Sequence, residues 1–317
     1  MSAPVCRAAS IALTGLEGTA VMVEAAVSQQ LPGMAIIGLP DTALAEAKLR
    51  VRTATAHLGL PLSDRFLTIN LSPASLPKHG SGFDLAIALA ALAASKRLPA
   101  DRLPGVAHLG ELGLDGELRR PAGLLSAVLA ARSLGFERVM VPASCAAEAS
   151  LVPGVEAIAV PDLARAVAWH RGELEDPAVR PGPADRTALQ GEAGRGDPAS
   201  RPVRDPAASA ADASSAEPRL DMSDVVGQPE AVEALVVAAA GRHHLSLIGP
   251  PGAGKTLLVS RLPSILPDLT PDESLTASSI AALGGAPLTH LIRRPPLEAP
   301  HHTASAVSII GGGDHGG

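Results

Sequence analysis

A glycine-rich stretch in the last quarter of the sequence has the residue types and spacing of a phosphate-binding loop. It reads GPPGAGKT and matches the pattern GxxxxGK(S/T). Glycines let successive backbone N–H groups turn toward an anion, and a helix that begins there adds positive potential. Lys255 would reach the β and γ phosphates, while the hydroxyl of Thr256 would bind Mg²⁺. The sequence therefore predicts an ATP and Mg²⁺ site at Gly249, Pro250, Pro251, Gly252, Ala253, Gly254, Lys255 and Thr256.

The elements that must position this loop can be predicted from the residues around it. The apolar run 245–248 predicts a strand that enters the loop, and the residues from 255 onward predict a helix that leaves it. A further helix is predicted over 229–240. Thr270 and Glu273 form a capping box, which predicts another helix start. This part of the chain therefore has the strand, loop and helix order that a nucleotide site needs.

The first part of the chain has a mixed α/β pattern. The runs MAIIGL at 34–39 and RFLTINL at 65–71 predict strands. Apolar residues spaced by three and four predict a helix between them that ends at Gly59. The pair Asp115 and Gly116 predicts a tight hairpin turn, and 124–134 predicts a second helix. We therefore expect an α/β domain over the first 172 residues.

Residues 173–220 differ in composition from both flanks, because prolines, glycines and charged residues are frequent and Leu and Val are few. Such a segment cannot bury enough apolar surface to offset the entropy of ordering it. We interpret 173–220 as a disordered linker that joins an N-terminal domain, 1–172, to a nucleotide-binding domain, 221–317.

Charge and composition exclude several classes of function. The net charge of −6 gives no global basic surface for nucleic acid, so any DNA contact would have to be local. Three Phe, one Trp and no Tyr argue against base-stacking platforms. The two cysteines, Cys6 and Cys145, have no metal-site spacing and suit a reducing compartment. Without a signal-peptide pattern or a membrane-spanning stretch, we expect a cytoplasmic protein with no membrane partner.

Six stretches taken together carry a family resemblance: GLPDTALAEAKLRVRTA (38–54), INLSPASLPKHGSGFDLAIAL (69–89), LGELGLDGELRRPAG (109–123), DVVGQPEAVEAL (224–235), GPPGAGKT (249–256) and APHHTAS (299–305). In these stretches and in their order, the chain resembles the YifB/ComM family of magnesium-chelatase-like AAA+ ATPases.

The resemblance implies a fold and a set of partners. The N-terminal domain would be similar to the C-terminal domain of Lon proteases, a ribosomal S5 domain 2-like fold, and a partial P-loop AAA+ domain would follow. Val226 and Gly227 would lie near the adenine, and His301 and His302 belong to a family signature, although Glu298 replaces a commonly basic residue. The full-length family acts on DNA, with ComM members as branch-migration helicases in natural transformation. A hexameric ring is expected of the full-length parent only.

The sequence after Lys255 departs from what an AAA+ enzyme needs for hydrolysis. Such an enzyme uses an apolar strand ending in Asp and Glu to organise Mg²⁺ and polarise water. The segment most similar to such a strand, SILPDL at 264–269, follows Lys255 too soon and has a proline before its aspartate. We therefore expect a chain truncated before the Walker B strand, which binds MgATP, does not hydrolyse it and has no catalytic residue.

Two smaller signals have competing interpretations. Lys78 and His79 lie in the stretch that resembles the Lon protease loop, but Gly82 occupies the position expected for the nucleophilic serine. No lysine occurs between Lys96 and Lys255, so a Ser–Lys dyad is unavailable and we expect a non-proteolytic domain. The adjacent His301 and His302 suggest a metal site, yet neighbouring side chains diverge, which favours a loop near the nucleotide.

Three functions from different classes stay open on the sequence alone. The first is an ATP-binding fragment of a DNA-handling AAA+ ATPase, which the paired motifs favour. The second is a magnesium-chelatase subunit-like ATPase, which the large N-terminal domain disfavours. The third is an inert interaction module, in which the first 170 residues bind a partner and the ATPase part is vestigial.

Overall fold

The computed structural model describes residues 5–28, 31–38, 41–62, 66–73, 76, 82–174, 178–179, 220–283, 288–301 and 303–305. The chain divides into two compact units, one made of Met1–Gln190 and Ser278–Leu291 and the other of Gly191–Ala277 and Ile292–Gly317. The predicted linker over 173–220 lies almost wholly outside the described residues.

An eight-stranded mixed sheet forms the centre of the first unit. Its strands are β1 (Cys6–Thr14), β2 (Glu17–Ser28), β3 (Gly33–Ile37), β4 (Phe66–Ser72), β5 (Val106–His108), β8 (Arg138–Pro142), β9 (Glu156–Val160) and β10 (Ala178–Val179). Strands β6 (Glu111–Leu112) and β7 (Leu118–Arg119) form a separate ribbon. The order in the large sheet is β10-β9-β8-β5-β1-β2-β4-β3, with β1 antiparallel to β2 and parallel to β5.

In the described part of the first unit, five α-helices that lie wholly within it pack around this sheet or close its connections. They are α1 (Asp41–His57), α2 (Asp84–Ala94), α3 (Leu124–Ser133), α4 (Ala146–Ala149) and α5 (Leu163–Arg171). Every residue of α2 is buried, which its sequence DLAIALAALAA permits because small alanine side chains allow close packing on all sides. The mixed α/β class expected from the sequence is therefore confirmed.

Most of the predicted local elements of this unit are confirmed. Strands β3 and β4 match the two predicted apolar runs to within two residues at each end. On α1, the predicted apolar face is buried at Ala47, Val51 and Ala54, and Gly59 follows the helix with φ of +73°. The predicted hairpin turn joins β6 to β7, and Gly116 takes the left-handed conformation there.

A buried ion pair anchors the amino end of α2. The Asp84 side chain is 1% exposed, and its Oδ2 lies 2.6 Å from Nε of Arg50 on α1. The backbone N–H of Leu112 in β6 also donates to Asp84 Oδ2, at 3.2 Å. Burial raises the pKa of Asp84, while the hydrogen bonds from Arg50 and Leu112 oppose that rise. One carboxylate therefore connects α1, α2 and β6.

Two buried histidines form a second polar contact in the core. His108 Nδ1 lies 3.0 Å from the carbonyl oxygen of Ala9, and His108 Nε2 lies 3.0 Å from His170 Nε2. A carbonyl only accepts, so Nδ1 of His108 carries its proton and His170 Nε2 donates to His108 Nε2. Burial lowers the pKa of His108 to about 4 and that of His170 to about 3. Both imidazoles are therefore neutral near pH 7.

The second unit is helical in the part that the structure describes. It contains α6 (Pro229–Gly241) and α7 (Lys255–Arg261), together with the start of α8 (Pro271–Leu283). A small apolar cluster of Met222, Leu235 and Leu258 holds α6 and α7 together. The predicted capping box is confirmed, because the Thr270 N–H donates to Glu273 Oε2 at 2.9 Å and the Glu273 N–H donates to Thr270 Oγ1 at 3.4 Å.

The strand predicted over 245–248 is wrong. These residues are not assigned to any strand, and Leu245 is 43% exposed and Ile248 95% exposed. A β-strand exists only when another strand pairs with its backbone, and no strand occurs among the described residues of 220–305. The apolar run therefore has the composition of a strand, but no neighbouring strand pairs with it in this part of the described structure.

Within the residues that the structure describes, no helix has the length and apolar composition needed to cross a membrane.

The histidine pair generates a prediction about stability and pH. The unfolded chain takes up protons as the pH falls through about 6.5, whereas folded His108 resists protonation until about pH 4. Stability is therefore lost as the pH falls across this window, by about 3 kcal/mol from His108 alone. We expect urea unfolding of the chain to show a steeper decline between pH 6.5 and 4.5 than unfolding of a His108→Leu/His170→Leu variant.

The His57→Gln variant is the matched control, because it removes an exposed imidazole on α1 and leaves the buried pair intact. If the double variant fails to fold, NMR titration of the imidazoles in the unaltered chain gives the same information. An imidazole of His108 that titrates above pH 6 would contradict the prediction.

Candidate nucleotide-binding site

The loop predicted to bind phosphate turns directly into a helix. Gly252 and Gly254 have φ of +83° and +80°, a region that favours glycine over other residues. Helix α7 begins at the next residue, Lys255, and the Leu258 N–H donates to the Gly254 carbonyl at 3.0 Å to close its first turn. The loop and helix of the predicted motif are therefore present, although the strand before them is not.

Lys255 closes the loop on itself. Its Nζ donates to the carbonyl oxygens of Gly249 and Pro250, each at 2.8 Å. The ammonium group therefore lies beside the first two residues of the loop, where neutral carbonyl groups satisfy two of its three donors. A phosphate at this place would offer charged oxygens to the same donors, and such charge-assisted hydrogen bonds are about twice as strong as neutral ones.

A cavity of about 600 Å³ lies next to the first turn of α7. Its volume is within the range typical of small-molecule sites. Lys255 and Thr256 contribute a polar edge on α7, and Arg242, His243 and His244 also line the cavity. The rest of its wall is apolar, with Leu235, Ala238, Leu245, Leu247, Val259 and Leu262 among its residues. Thr256 is exposed, so its hydroxyl is accessible to a cation.

Thr256 can supply one oxygen ligand to Mg²⁺, an ion that usually keeps several waters and takes further oxygens from substrate phosphates. Among the residues that the structure describes, no group of three or more His, Cys, Asp or Glu side chains could hold a metal ion.

The segment before α6 lies against the loop. Val226 is 96% exposed, and Gly227 has φ of +82°. The next residue, Gln228, directs its carboxamide at Gly254, because a Cβ placed on Gly254 would lie 2.7 Å from Gln228 Nε2. Sequence reasoning missed Gln228. The only sequence signal for Gln228 was its place after Gly227 in the stretch DVVGQPEAVEAL (224–235). A left-handed backbone conformation at a glutamine cannot be predicted from the residue type.

Glu273, at the start of α8, has a structural role. Hydrogen bonds from the Thr270 backbone and hydroxyl hold the pKa of Glu273 below its ordinary value, which keeps this capping carboxylate ionised. Glu273 also lies 3.8 Å from Arg242 in an exposed ion pair. These contacts account for Glu273 without any part in catalysis.

His301 makes a local turn with a neighbouring threonine. Its Nδ1 lies 2.7 Å from Thr303 Oγ1 and accepts from the Thr303 N–H at 3.3 Å. Nδ1 is therefore an acceptor here, and the Thr303 hydroxyl donates to it. His302 lies outside the described residues. The expectation that these histidines lie near a nucleotide stays a prediction.

Comparison with known proteins identifies the family. The profile described as subunit ChlI of Mg-chelatase matches residues 23–145, and that described as magnesium chelatase, subunit ChlI, matches 221–316. The chain is similar to the uncharacterized protein YifB of Escherichia coli, with 36% identity over 95% of this chain and 54% of YifB. It is also similar to the competence protein ComM of Haemophilus influenzae, with 35% identity over 96% of this chain and 55% of ComM. The chain belongs to the YifB/ComM family.

Other family relatives are more similar still. An uncharacterized protein of Mycobacterium tuberculosis is 43% identical over 97% of this chain and 56% of its own length. The resemblance predicted from six short stretches is therefore confirmed. The chain spans a little over half the length of these curated relatives.

In this YifB/ComM chain, backbone hydrogen bonds hold Gly82, the residue at which the sequence resemblance led us to expect a nucleophilic serine. The Gly82 carbonyl accepts from the Gly110 N–H at 3.2 Å, and the Leu85 N–H donates to the Gly110 carbonyl at 3.2 Å. A Cβ on Gly82 would meet Pro121 at an ordinary contact distance of 3.4 Å, so a side chain would fit there. Gly82 has none, and Lys78 and His79 lie outside the described residues.

These observations predict that the chain has no peptidase activity. Incubation with casein and fluorogenic peptides should give no turnover above that of heat-denatured protein, because Gly82 offers no nucleophile. A fluorophosphonate probe, which labels activated serines, should not label the chain. Turnover or labelling that disappears on replacing Ser72, Ser75 or Ser81 by alanine would contradict the prediction.

Proposed function

We propose that the second unit of this chain binds ATP with Mg²⁺ and forms part of a P-loop AAA+ module. The observation that carries the proposal is the loop that ends at Gly254 in a left-handed turn and delivers Lys255 to the first position of α7. In this arrangement the loop N–H groups and the Lys255 ammonium can converge on one anion. The β and γ phosphates of ATP match that arrangement.

Each end of the nucleotide has a proposed partner in this module. Lys255 binds the phosphates by exchanging its bonds to Gly249 and Pro250 for bonds to phosphate oxygens. Thr256 binds Mg²⁺ through its hydroxyl. At the other end, Val226 and Gly227 contact the adenine, and the nearly complete exposure of the Val226 side chain supports this role because it leaves an apolar surface open to the base.

The proposed role of the parent protein is DNA processing. The family includes a relative named as a competence protein, which supports a function in handling incoming DNA. We propose that the full-length protein forms a hexameric ring that uses ATP to act on DNA, with branch migration as its activity. The first unit is then a non-proteolytic domain with a Lon-like fold. Because the net charge of this chain is −6, any DNA contacts on it would be confined to local basic patches.

A second candidate is a magnesium-chelatase subunit-like ATPase. Both matching profiles are named after the ChlI subunit, which favours this alternative. The two functions differ in what stimulates ATP hydrolysis by the full-length protein. Branched DNA should stimulate a branch-migration enzyme, whereas a porphyrin with the partner subunits of a chelatase should stimulate the alternative.

The test of nucleotide binding is titration of the 317-residue chain with MgATP by calorimetry. Lys255→Ala should weaken binding at least about tenfold, because it removes a charged donor worth at least about 1.4 kcal/mol. Thr256→Ala should weaken binding in the presence of Mg²⁺ and have little effect when EDTA removes the metal. Lys48→Ala, which changes an α1 lysine in the other unit, is the matched control and should bind MgATP with unchanged affinity.

Equal affinities of the unaltered chain and Lys255→Ala would reject the proposed phosphate site. Loss of affinity in Lys48→Ala to the same degree would show that charge alone, rather than the loop, determines binding.

A further inference from the structure

We infer that Gln228 is a positioning residue for the phosphate-binding loop and acts through Gly254. The inference deepens the proposed function and rests on it, because the loop is what would hold the phosphates. Gln228 belongs to the segment before α6, and Gly254 is the last loop residue before α7. Their contact joins two parts of the chain that are 26 positions apart in sequence.

The first observation is that the long side chain of Gln228 lies next to Gly254, which has no side chain. A Cβ on Gly254 would lie 2.7 Å from Nε2, 3.7 Å from Cδ and 3.8 Å from Oε1 of Gln228. The whole carboxamide therefore faces the edge of Gly254, and its nitrogen is closest. Real Cβ atoms do not approach other atoms to 2.7 Å, so any other residue at 254 would displace the Gln228 carboxamide, which is the end of a flexible and exposed side chain.

The second observation is the backbone of Gln228. It has φ of +53° and ψ of +48°, an unfavourable conformation for a residue with a side chain. Residues held in this region are concentrated at functional sites, where the surrounding structure maintains them. The Gln228 carbonyl accepts from the Val232 N–H at 3.1 Å, which is the first helical bond of α6. Gln228 therefore contacts α6 through its backbone and contacts the loop through its side chain, so it joins the two.

The position of Gly254 determines the direction of Lys255, because the lysine follows it immediately and starts α7. A loop without the Gln228 contact would sample more conformations, and only a fraction of them would present Lys255 to phosphate. The apparent Kd is the intrinsic Kd divided by the competent fraction. Gln228 thus raises affinity for the phosphate groups of a nucleotide without needing to touch them.

The test separates the side chain of Gln228 from its strained backbone. Gln228→Gly removes the carboxamide but accepts a positive φ readily. We expect its Kd for MgATP to rise about tenfold, as when the competent fraction falls to about a tenth, while its midpoint temperature of unfolding is unchanged or higher. Gln228→Asn also accepts a positive φ, but its shorter carboxamide does not reach Gly254, so it should weaken binding similarly.

Lys96→Gly is the matched control. Lys96 also has a positive φ, of +59°, but lies in the first unit. This variant should bind MgATP as the unaltered chain does. If only the backbone of Gln228 mattered, Gln228→Gly would bind MgATP with full affinity. That result would overturn the inference.

A double-mutant cycle with Gly254→Ala tests the contact without nucleotide. Gly254→Ala should lower the midpoint of thermal unfolding in both backgrounds, because Gly254 has φ of +80°. It should lower the midpoint less in Gln228→Gly than in the unaltered chain, because the colliding carboxamide is gone. Additive effects would overturn the inference. Because this readout uses no ATP, it tests the contact even if Lys255→Ala leaves MgATP affinity unchanged and the proposed function fails.

Discussion

The complete burial of α2 constrains the whole first unit. A helix buried on every side needs neighbours on every side, and its alanines leave room for them. Its first residue, Asp84, is then a carboxylate out of water, which is costly unless charged and N–H donors surround it. Arg50 and the Leu112 N–H are those donors, and their geometry fixes α1 and the β6–β7 ribbon relative to α2. Removing one partner of such a buried pair costs about 3–5 kcal/mol.

The second unit depends on local rather than global constraints. Two left-handed glycines, one lysine and a helix start define the loop proposed to bind phosphate over a few residues. None of these features requires a neighbouring strand to exist, which explains why the loop is formed while the apolar segment 245–248 is unpaired. The chemistry of this site therefore depends on short-range geometry, and its rigidity depends on contacts such as that of Gln228 with Gly254.

The same distinction decides what could be predicted from the sequence. Helix periodicity, the turn at Gly116 and the capping box of Thr270 and Glu273 are local signals, and each was confirmed. The order of strands in the large sheet is set by long-range pairing that no local pattern records. The contact of His108 with His170, and that of Gln228 with Gly254, bring together residues that are distant in sequence. The prediction of a strand at 245–248 was wrong for the same reason, because apolar composition does not specify which strand would pair with it.

The hydrogen bonds of Lys255 to its own loop have a consequence for how affinity could be tuned. Because Nζ already has the carbonyl groups of Gly249 and Pro250 as acceptors, ligand binding is an exchange of partners rather than the addition of new ones. The measured affinity is then a difference between two sets of interactions. A change that turns either carbonyl away from the ammonium would strengthen anion binding by raising the free energy of the empty loop. Selection can therefore adjust the affinity of the proposed nucleotide site at residues that would never contact the nucleotide.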